Sequence, residues 1–404
     1  MRSARRVAAV AAAVLVSGVS TPALAQSQTF FVDCAKGQTI TSALAQGDAR
    51  RPLVVTVRGT CNENVTISRD DVTLQGDPKS GATITGPSAG STIAVRASRV
   101  VIDRLNVRGG NPNGIALAGG SNVSILNSDI QNAAGQGINV TGTSSANITN
   151  CSVQHNAFAG IGVAQASLSI TDSNISFNTG AGVIGVWDAS VTINNSEIAS
   201  NSQSGVKVIR HSSITVNGST ISSNASSGVE MQASEATING TTITANGTNT
   251  VSGARRGVTT ASSIVQINNS SISNNPGGGV LLGVGGSLGL SNSMVTGNGS
   301  EGVFLYLGAT GNLSGGTISG NSGNGVSVGV NSTVQITGGA TIQNNSRHGI
   351  ELFAGAKLWV FDPITVADNN WWGVYCNDVE SSAANTSVIA FSGNTNGTFS
   401  CTGY

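Results

Sequence analysis

The sequence predicts an all-β protein whose chain winds into a solenoid of about twelve stacked coils, a parallel β-helix. A glycine recurs at intervals of 22 to 24 residues, with one interval of 29, at twelve positions from Gly114 to Gly373. The residue that follows is Ile or Val every time. Short β-branched segments between Gly, Asn and Ser, in a chain with 9% charged and 4% aromatic residues, are typical of brief strands and turns. A fixed period of this length indicates one supersecondary unit that stacks on its neighbours.

The first 25 residues have the features of a secretory signal peptide. Three arginines within the first six residues precede a short apolar run over 7–19, and Ala23-Leu24-Ala25 is a small-x-small cleavage site. We therefore expect cleavage near Ala25 and a secreted or periplasmic mature protein. No later segment has ~18 consecutive apolar residues, so we expect no membrane span in the mature chain.

Residues 26–92 are assigned to an N-terminal cap and the first irregular coils. The segment from Ile40 to Leu44, followed by Gly47, predicts a short amphipathic helix over the first coil. Such a cover protects the open end of a solenoid from pairing with other strands. Cys34 and Cys61 lie in this part of the chain, and in an oxidising compartment we expect a disulfide between them.

Residues 93–376 are assigned to the regular β-helix. About fifteen residues after each glycine lies a second Ile or Val column, as at Ile198 and Ile221, and two positions before that column lies a small residue. A third short strand lies between, as in Val191–Ile193, so each coil has three strands with alternating inward side chains. An asparagine stands four residues before most of the glycines. Asparagine tolerates left-handed turns, and its side-chain amide can form a hydrogen bond with the equivalent amide of the next coil. This predicts a ladder of Asn156, Asn178, Asn201, Asn224, Asn275, Asn298, Asn321, Asn345 and Asn369.

This pattern resembles the right-handed parallel β-helix repeat of the pectate-lyase-like superfamily. Leucine-rich repeats share the period but want Leu where this chain has Val and Ile, and left-handed coils need a period nearer 18. The resemblance implies a single-stranded right-handed β-helix. It also implies that a ligand lies along the outer face of the strand that follows each glycine.

Residues 377–404 are assigned to a C-terminal cap. The Trp371-Trp372 pair and a loop closed by Cys376 and Cys401 are expected to cover the last coil. Cys151 falls in the small-residue column, so we interpret it as a buried free thiol.

Charged residues concentrate near the repeat glycines, which indicates one functional face. Lys207 and Glu230 stand two residues past their glycines, and Asp188 and His211 six past, so each pair should lie on adjacent coils about 5 Å apart. A carboxylate beside an imidazole and cations is suited to binding and deprotonating an acidic sugar. Trp187 and Arg210 flank this first cluster. The coil over 228–256 is longer than the others, and we expect it to place Arg255 and Arg256 as a wall beside the cluster. The alternative is that these are surface ion pairs that keep a low-charge rod soluble.

A second cluster combines aromatic and charged side chains on later coils. The predicted ligand-binding residues are Phe304, Tyr306, His348 and Glu351, and their neighbours are Glu301, Arg347, Phe353, Trp371, Trp372 and Tyr375. Outward aromatic rings on successive coils are suited to stacking on sugar rings. The alternative is that these rings belong to the C-terminal cap.

The catalytic motifs of the family's polygalacturonase-like hydrolases are missing from this face. Only His348-Gly349 matches a fragment of Gly-His-Gly, and Asp70-Asp71 lies in a turn before Val72. No adjacent coils stack two carboxylates on the face, so we expect no calcium, no other metal and no cofactor. The resemblance therefore implies the fold and the ligand face, and no catalytic residue.

Two hypotheses for function follow. The first is a secreted, monomeric protein that binds an extended polysaccharide or cell-surface glycan and, if catalytic, acts as a lyase or epimerase. Lys207 or His211 would then be the base, with Arg210 neutralising a uronate. The second is a non-catalytic extracellular rod with a structural or adhesive role. The formal net charge is +0 and no basic cluster exceeds Arg255-Arg256, so we expect no nucleic-acid partner.

Overall fold

A computed structural model describes residues 26–87, 89–248 and 255–401, and the predicted signal peptide lies outside them. Three parallel sheets run the length of the molecule, and each coil contributes one strand to each sheet. The strand after the repeat glycine forms what we call the glycine sheet. Its strands are Val65–Ile67, Ile93–Val95, Ile115–Leu117, Ile138–Thr141, Ile161–Ala164, Val183–Val186, Val206–Ile209, Val229–Gln232, Val258–Ala261, Val280–Gly283, Val303–Leu305, Val326–Gly329, Ile350–Phe353, Trp372–Cys376 and Gly397–Ser400.

The second and third sheets follow in each coil and share the long strand Leu53–Asn62. The other strands of the second sheet are Gln28–Asp33, Val72–Gly76, Val100–Asp103, Asn122–Leu126, Ser145–Thr149, Ser167–Thr171, Ser190–Asn194, Ser213–Asn217, Glu235–Asn239, Ile264–Asn268, Ser287–Ser291, Thr310–Ser314, Thr333–Thr337, Lys357–Val360 and Ser382–Ala384. Those of the third sheet are Ala82–Gly86, Asn106–Gly109, Asp129–Gln131, Ser152–Gln154, Asn174–Ser176, Glu197–Ala199, Thr220–Ser222, Thr242–Thr244, Ser271–Ser273, Met294–Thr296, Thr317–Ser319, Thr341–Gln343, Ile364–Ala367 and Ile389–Ser392.

Strand register confirms the predicted stacking. Val206 pairs with Val229 in the next coil, and the same relation repeats along the sheet. The inward Ile and Val columns are fully buried and form one continuous core. The expectation of about twelve coils is too low, because the glycine sheet alone has fifteen strands. Residues 53–86, within the segment assigned to the N-terminal cap and first irregular coils, and residues 382–400, assigned to the C-terminal cap, form strands in register with the neighbouring coils.

The predicted helix covers the N-terminal end. It spans Ile40–Ala45 and follows a 3-10 turn at Cys34–Lys36. Thr39 caps it, and the Glu63 carboxylate accepts hydrogen bonds from the backbone N–H groups of Ile40, at 2.7 Å, and Thr41, at 3.0 Å. A carboxylate at a helix N-terminus satisfies donors that have no partner within the helix. The other 3-10 turn is Thr386–Val388.

The predicted asparagine ladder is confirmed and longer than expected. Each buried amide Nδ2 donates to the Oδ1 of the next coil, as from Asn201 to Asn224 at 2.9 Å. Asn246 and Asn394 also belong to it. Asn246 does not stand four residues before its repeat glycine, because the extra residues of its coil lie between it and Gly257.

Cysteine pairing follows the prediction at both ends. Disulfides join Cys34 to Cys61 and Cys376 to Cys401. Cys151 is a buried free thiol, and burial raises its pKa to about 11. Within the described ranges, no helix is long and apolar enough to cross a membrane.

Candidate functional site

The outer surfaces of the sheets differ sharply in chemistry. From Asn122 to Thr337, every outward side chain of the second sheet is Ser, Thr, Asn, Gln or Gly, except Leu126, Glu235 and Ile264. On the glycine sheet, small or polar outward residues such as Asn139, Gly162, Gln232 and Thr259 are interspersed with large apolar, aromatic and charged ones. The large and charged side chains of this sheet and of the turn after Leu305 are Ile184, Val186, Lys207, Ile209, Glu230, Leu281, Phe304, Tyr306, Glu351, Phe353 and Tyr375. Partly exposed apolar side chains on one face of a soluble protein mark a candidate contact surface.

The first cluster contains a compact ion pair. Lys207 and Glu230 occupy paired positions on adjacent strands, as predicted, and Lys207 Nζ lies 2.8 Å from Glu230 Oε1. The Ser204 hydroxyl donates to the other oxygen of Glu230 at 2.6 Å. Both charged side chains are about one third exposed, at 30% and 28%. The amine of Lys207 is therefore engaged by a carboxylate and remains accessible to a ligand.

The other residues of the first cluster lie in the turns that follow these strands. Trp187, Asp188, Arg210 and His211 all have left-handed backbone conformations, with φ between 52° and 63°. The Arg210 guanidinium lies 5.0 Å from the centre of the Trp187 ring, a cation–π contact. The turns of Asp188 and His211 are adjacent, since the Asp188 N–H donates to the Arg210 carbonyl at 3.2 Å. Among the described residues no hydrogen bond joins the two side chains.

His211 faces a different part of the surface from Lys207. It lines a groove of about 420 Å³ at the corner between the glycine sheet and the second sheet, together with Glu235, Ser262 and Ile264. The left-handed turn changes the direction of the chain and places the imidazole at this corner. The three predicted catalytic residues therefore divide between a strand face, which holds Lys207, and the turn that holds Arg210 and His211.

Arg255 and Arg256 do not form a wall to the first cluster as expected. Arg256 extends past Gly278, which has no side chain to obstruct it, and its Nη2 lies 3.0 Å from Glu301 Oε2. Its guanidinium also lies 5.7 Å from the centre of the Phe304 ring. Arg255 donates from Nε to the Gly247 carbonyl at 3.1 Å. Arg256 thus belongs to the second cluster.

Aromatic rings form the centre of the second cluster. The Phe304 ring centre lies 5.5 Å from that of Tyr306 and 6.3 Å from that of Phe353. Phe353 lies flat over Gly329, where any added Cβ would overlap its ring. All three rings remain partly exposed. They form an apolar surface of the kind that sugar rings stack upon.

Two carboxyl groups flank these rings in contrasting environments. Burial opposes ionisation of Glu301, but the charge of Arg256 and the hydrogen bonds around the carboxylate hold its pKa below the ordinary value. Burial raises the pKa of Glu351, and the negative charge of Glu301 adds to this effect. Glu351 receives a hydrogen bond from the Asn324 amide at 2.7 Å, and Ser327 Oγ lies at 3.5 Å. Glu301 is thus stabilised as an anion by an ion pair with Arg256, whereas Glu351 has neutral hydrogen-bond partners and the charge of Arg347 only partly offsets the effect of its burial.

His348 is held inside the second cluster by aromatic rings. It stacks on Tyr375 with ring centres 4.4 Å apart and meets the edge of Trp371 at 4.9 Å. Its Nδ1 accepts from the Trp372 N–H at 3.3 Å, and burial lowers its pKa to about 4. The imidazole is therefore neutral near pH 7. Arg347 covers the other side of Trp371, with its guanidinium 5.5 Å from the ring centre.

Sequence reasoning missed the small polar residues that complete both clusters. Ser204, Asn324 and Ser327 bind the carboxylates of Glu230 and Glu351, but Ser and Asn occur so often in this chain that their type gives no signal. Their positions within two residues of a repeat glycine could have indicated that they lie beside the glycine-sheet face.

Comparison with known proteins assigns the fold family. The family described as "Right handed beta helix region" matches residues 55–185, 113–263, 159–338 and 252–402, so the chain belongs to this family. The right-handed parallel β-helix predicted from the repeat is confirmed. No curated protein matches the sequence.

Several solved structures are similar in fold. The mannuronan C-5 epimerase AlgE4 A-module of Azotobacter vinelandii is 14% identical, with a TM-score of 0.48 over 90% of this chain and 93% of that chain. Pectate lyase Pel9A is 13% identical, with a TM-score of 0.45 over 61% and 78%. The Dettilon tailspike protein is 11% identical, with a TM-score of 0.48 over 82% and 64%. Likeness at this level concerns the fold alone.

Proposed function

We propose that this is a secreted protein that binds an extended polysaccharide along the outer face of its glycine sheet. The observation that carries the proposal is the contrast between sheets: from Asn122 to Thr337 the outward positions of the second sheet hold small or uncharged polar residues except for Leu126, Glu235 and Ile264, whereas aromatic, apolar and charged residues gather on the glycine sheet. The coils from Gly205 to Gly373 span roughly 34 Å at about 4.8 Å per coil. A site this long suits a chain of several sugars. The two disulfides support an oxidising compartment.

Charge on this face favours an acidic polysaccharide. Lys207 and Arg256 are neutralised by Glu230 and Glu301. Within the part of the chain that the structure describes, Arg210, Arg255 and Arg347 have no carboxylate partner. An arginine with free N–H donors binds a carboxylate in a bidentate fashion. Uronate carboxylates along a polysaccharide would supply the missing partners.

A second candidate function is hydrolysis of the bound chain, which the pair of Glu301 and Glu351 favours. Two carboxyl groups whose environments push their pKa values apart are suited to act as base and acid. Protonated Glu351 would give its proton to the glycosidic oxygen as the C1–O bond breaks. Ionised Glu301 would take a proton from the water whose oxygen bonds to C1. The predicted roles of Lys207 or His211 as base in a lyase or epimerase reaction remain the competing proposal.

Binding is tested by isothermal titration with polygalacturonate, alginate and neutral xylan. We expect the two acidic polymers to bind and Phe304→Ala to weaken binding by about tenfold, the loss of one stacking contact. Thr237→Ala, an outward residue of the second sheet, is the matched control and should bind like the parent protein. If none of the three polymers binds, or if both variants behave alike, the proposal is wrong and the extracellular rod is favoured.

Cleavage is tested on whichever polymer binds. New reducing ends without absorbance near 235 nm indicate hydrolysis, and Glu351→Gln should abolish them while leaving binding intact. Absorbance near 235 nm that is lost in Lys207→Ala or His211→Ala, and retained in Glu351→Gln, would instead support the lyase.

A further inference from the structure

The second sheet changes its surface abruptly at its C-terminal end. The outward side chains of the ten preceding strands are Ser, Thr, Asn, Gln or Gly, apart from Leu126, Glu235 and Ile264. The strand Lys357–Val360 instead directs Lys357 and Trp359 outward, and Phe361 follows directly. Trp359 is 41% exposed and Phe361 is 53% exposed. Of the four tryptophans in the chain, Trp187 and Trp371 are similarly exposed, at 50% and 43%, and Trp359 differs from them in lying on the second sheet.

The last coil leaves this indole uncovered. Trp359 pairs with Ala384, and Lys357 pairs with Ser382, so the neighbouring strand presents only small side chains beside the ring. The chain then turns at Asn385, whose φ of 57° is left-handed, into the 3-10 turn Thr386–Val388. A groove of about 620 Å³ results, lined by Lys357–Trp359 and 382–387.

Among the described residues, the polar side chains of this groove have no hydrogen-bond or ion-pair partner. Throughout the described ranges, no side-chain hydrogen bond involves the Trp359 indole N–H, the Asn385 amide or the hydroxyls of Thr386 and Ser387, and Lys357 forms no ion pair. Trp359 makes no ring contact either. An aromatic side chain with unpaired donors and acceptors around it is therefore partly open to a ligand.

We propose that this groove is a second saccharide-binding site, separate from the glycine sheet. A sugar ring combines an apolar C–H face with a rim of hydroxyls, which matches an indole face bordered by hydroxyl, amide and amine groups. Ala384 leaves the space that a ring stacked on Trp359 occupies. Because the groove lies on a different sheet from the second cluster, it does not depend on the function proposed above.

The experiment uses the full chain with Phe304→Ala in every variant, so that the glycine-sheet face is weakened. Cello-oligosaccharide and oligogalacturonate are titrated, with heat and tryptophan fluorescence as readouts. We expect saturable binding of at least one probe, a loss of about tenfold or more in Trp359→Ala, and most of the affinity retained in Trp359→Phe. Ala384→Leu, which fills the space beside the ring without removing it, should also abolish binding.

Phe177→Ala is the matched control, because Phe177 is an exposed aromatic residue, at 56%, that follows a strand of the third sheet and lies outside both clusters. It should leave the groove's affinity unchanged. The proposal is overturned if neither probe binds, or if Trp359→Ala and Phe177→Ala have equal effects. It is also overturned if Trp359→Ala changes only the sedimentation of the protein from dimer to monomer, since the groove would then be a self-association surface. If the glycine-sheet face fails its own binding test, the proposal for the groove beside Trp359 is unaffected.

Discussion

Replacing Asn224 by alanine should be among the most destabilising polar substitutions in the protein. Asn224 is fully buried. Its Nδ2 donates to Asn246 Oδ1 at 2.9 Å and to the Ile198 carbonyl at 3.0 Å. Its Oδ1 accepts from the backbone N–H and the side-chain amide of Asn201, at 3.0 and 2.9 Å. One side chain thus satisfies groups on both neighbouring coils.

The expected cost follows from these four hydrogen bonds. Each contributes a net 0.5–1.5 kcal/mol, so their loss costs roughly 4 kcal/mol, and the groups left unpaired have no access to water. The matched control is Asn217→Ala. Asn217 lies in an outer asparagine row, donates to Asn194 at 2.8 Å and accepts from Asn239 at 2.9 Å. Because that row is partly exposed, water replaces the lost bonds, and we expect a cost of about 1 kcal/mol.

Guanidinium denaturation followed by circular dichroism measures the difference in free energy of unfolding. Stacked coils need not unfold as one unit, so hydrogen exchange should be measured in parallel on peptides from the neighbouring coils. We expect Asn224→Ala to accelerate exchange in the coils on both sides and Asn217→Ala to leave it unchanged. Equal costs for the two variants would refute the argument that the buried ladder ties the coils together.

Four further predictions concern single buried positions. Thr260→Val should stabilise the protein by about 1–3 kcal/mol in thermal unfolding, because the buried Thr260 hydroxyl has no partner among the described residues; a lower melting temperature would contradict this. Gly205→Ala should cost about 3 kcal/mol in the same assay, since the new Cβ would lie 2.5 Å from Ile221 Cγ2 and 2.8 Å from a backbone carbonyl; an unchanged melting temperature would mean that the coil yields. Between pH 6.5 and about 4 the unfolded chain protonates His348 and the folded chain does not, so stability should fall by up to about 3 kcal/mol as the pH drops, and His348→Gln should remove that slope. Cys151 should resist a thiol reagent at pH 7.5 until denaturant is added, and rapid labelling of the folded protein would show that its coil opens.

Residue spacing was sufficient to predict the layers of the molecule. Because a solenoid converts distance along the chain into height along its axis, the interval from Val206 to Val229 identified neighbouring coils. The same rule predicted that Lys207 and Glu230 would meet. It failed for the number of coils, since Val65–Ile67 and Ile93–Val95 in the first coils and Gly397–Ser400 in the last coil lack the Gly-Ile or Gly-Val pair that marks the repeat.

Residue spacing did not predict the direction of side chains at the corners between sheets. His211 and Arg256 were both assigned to the first cluster from their positions, yet a left-handed turn carries His211 to another groove, and Gly278 lets Arg256 extend to Glu301. A corner turn has no fixed alternation of inward and outward residues. Long side chains there take the direction that their neighbours leave open.

By itself the sequence determined the β-helix, the stacking of its coils, the buried asparagine ladder and the pairs of cysteines at the two ends. The first three of these features are set by residues that recur at a nearly constant interval, which in a stacked chain places them in neighbouring coils, and the cysteine pairs follow from an oxidising compartment and from their positions near the two ends. The tertiary structure decided that Arg256 meets Glu301, why the pKa values of Glu301 and Glu351 shift in opposite directions, and where the groove beside Trp359 opens. Those features depend on side-chain length, on missing side chains at glycine and alanine, and on burial, none of which follows a period.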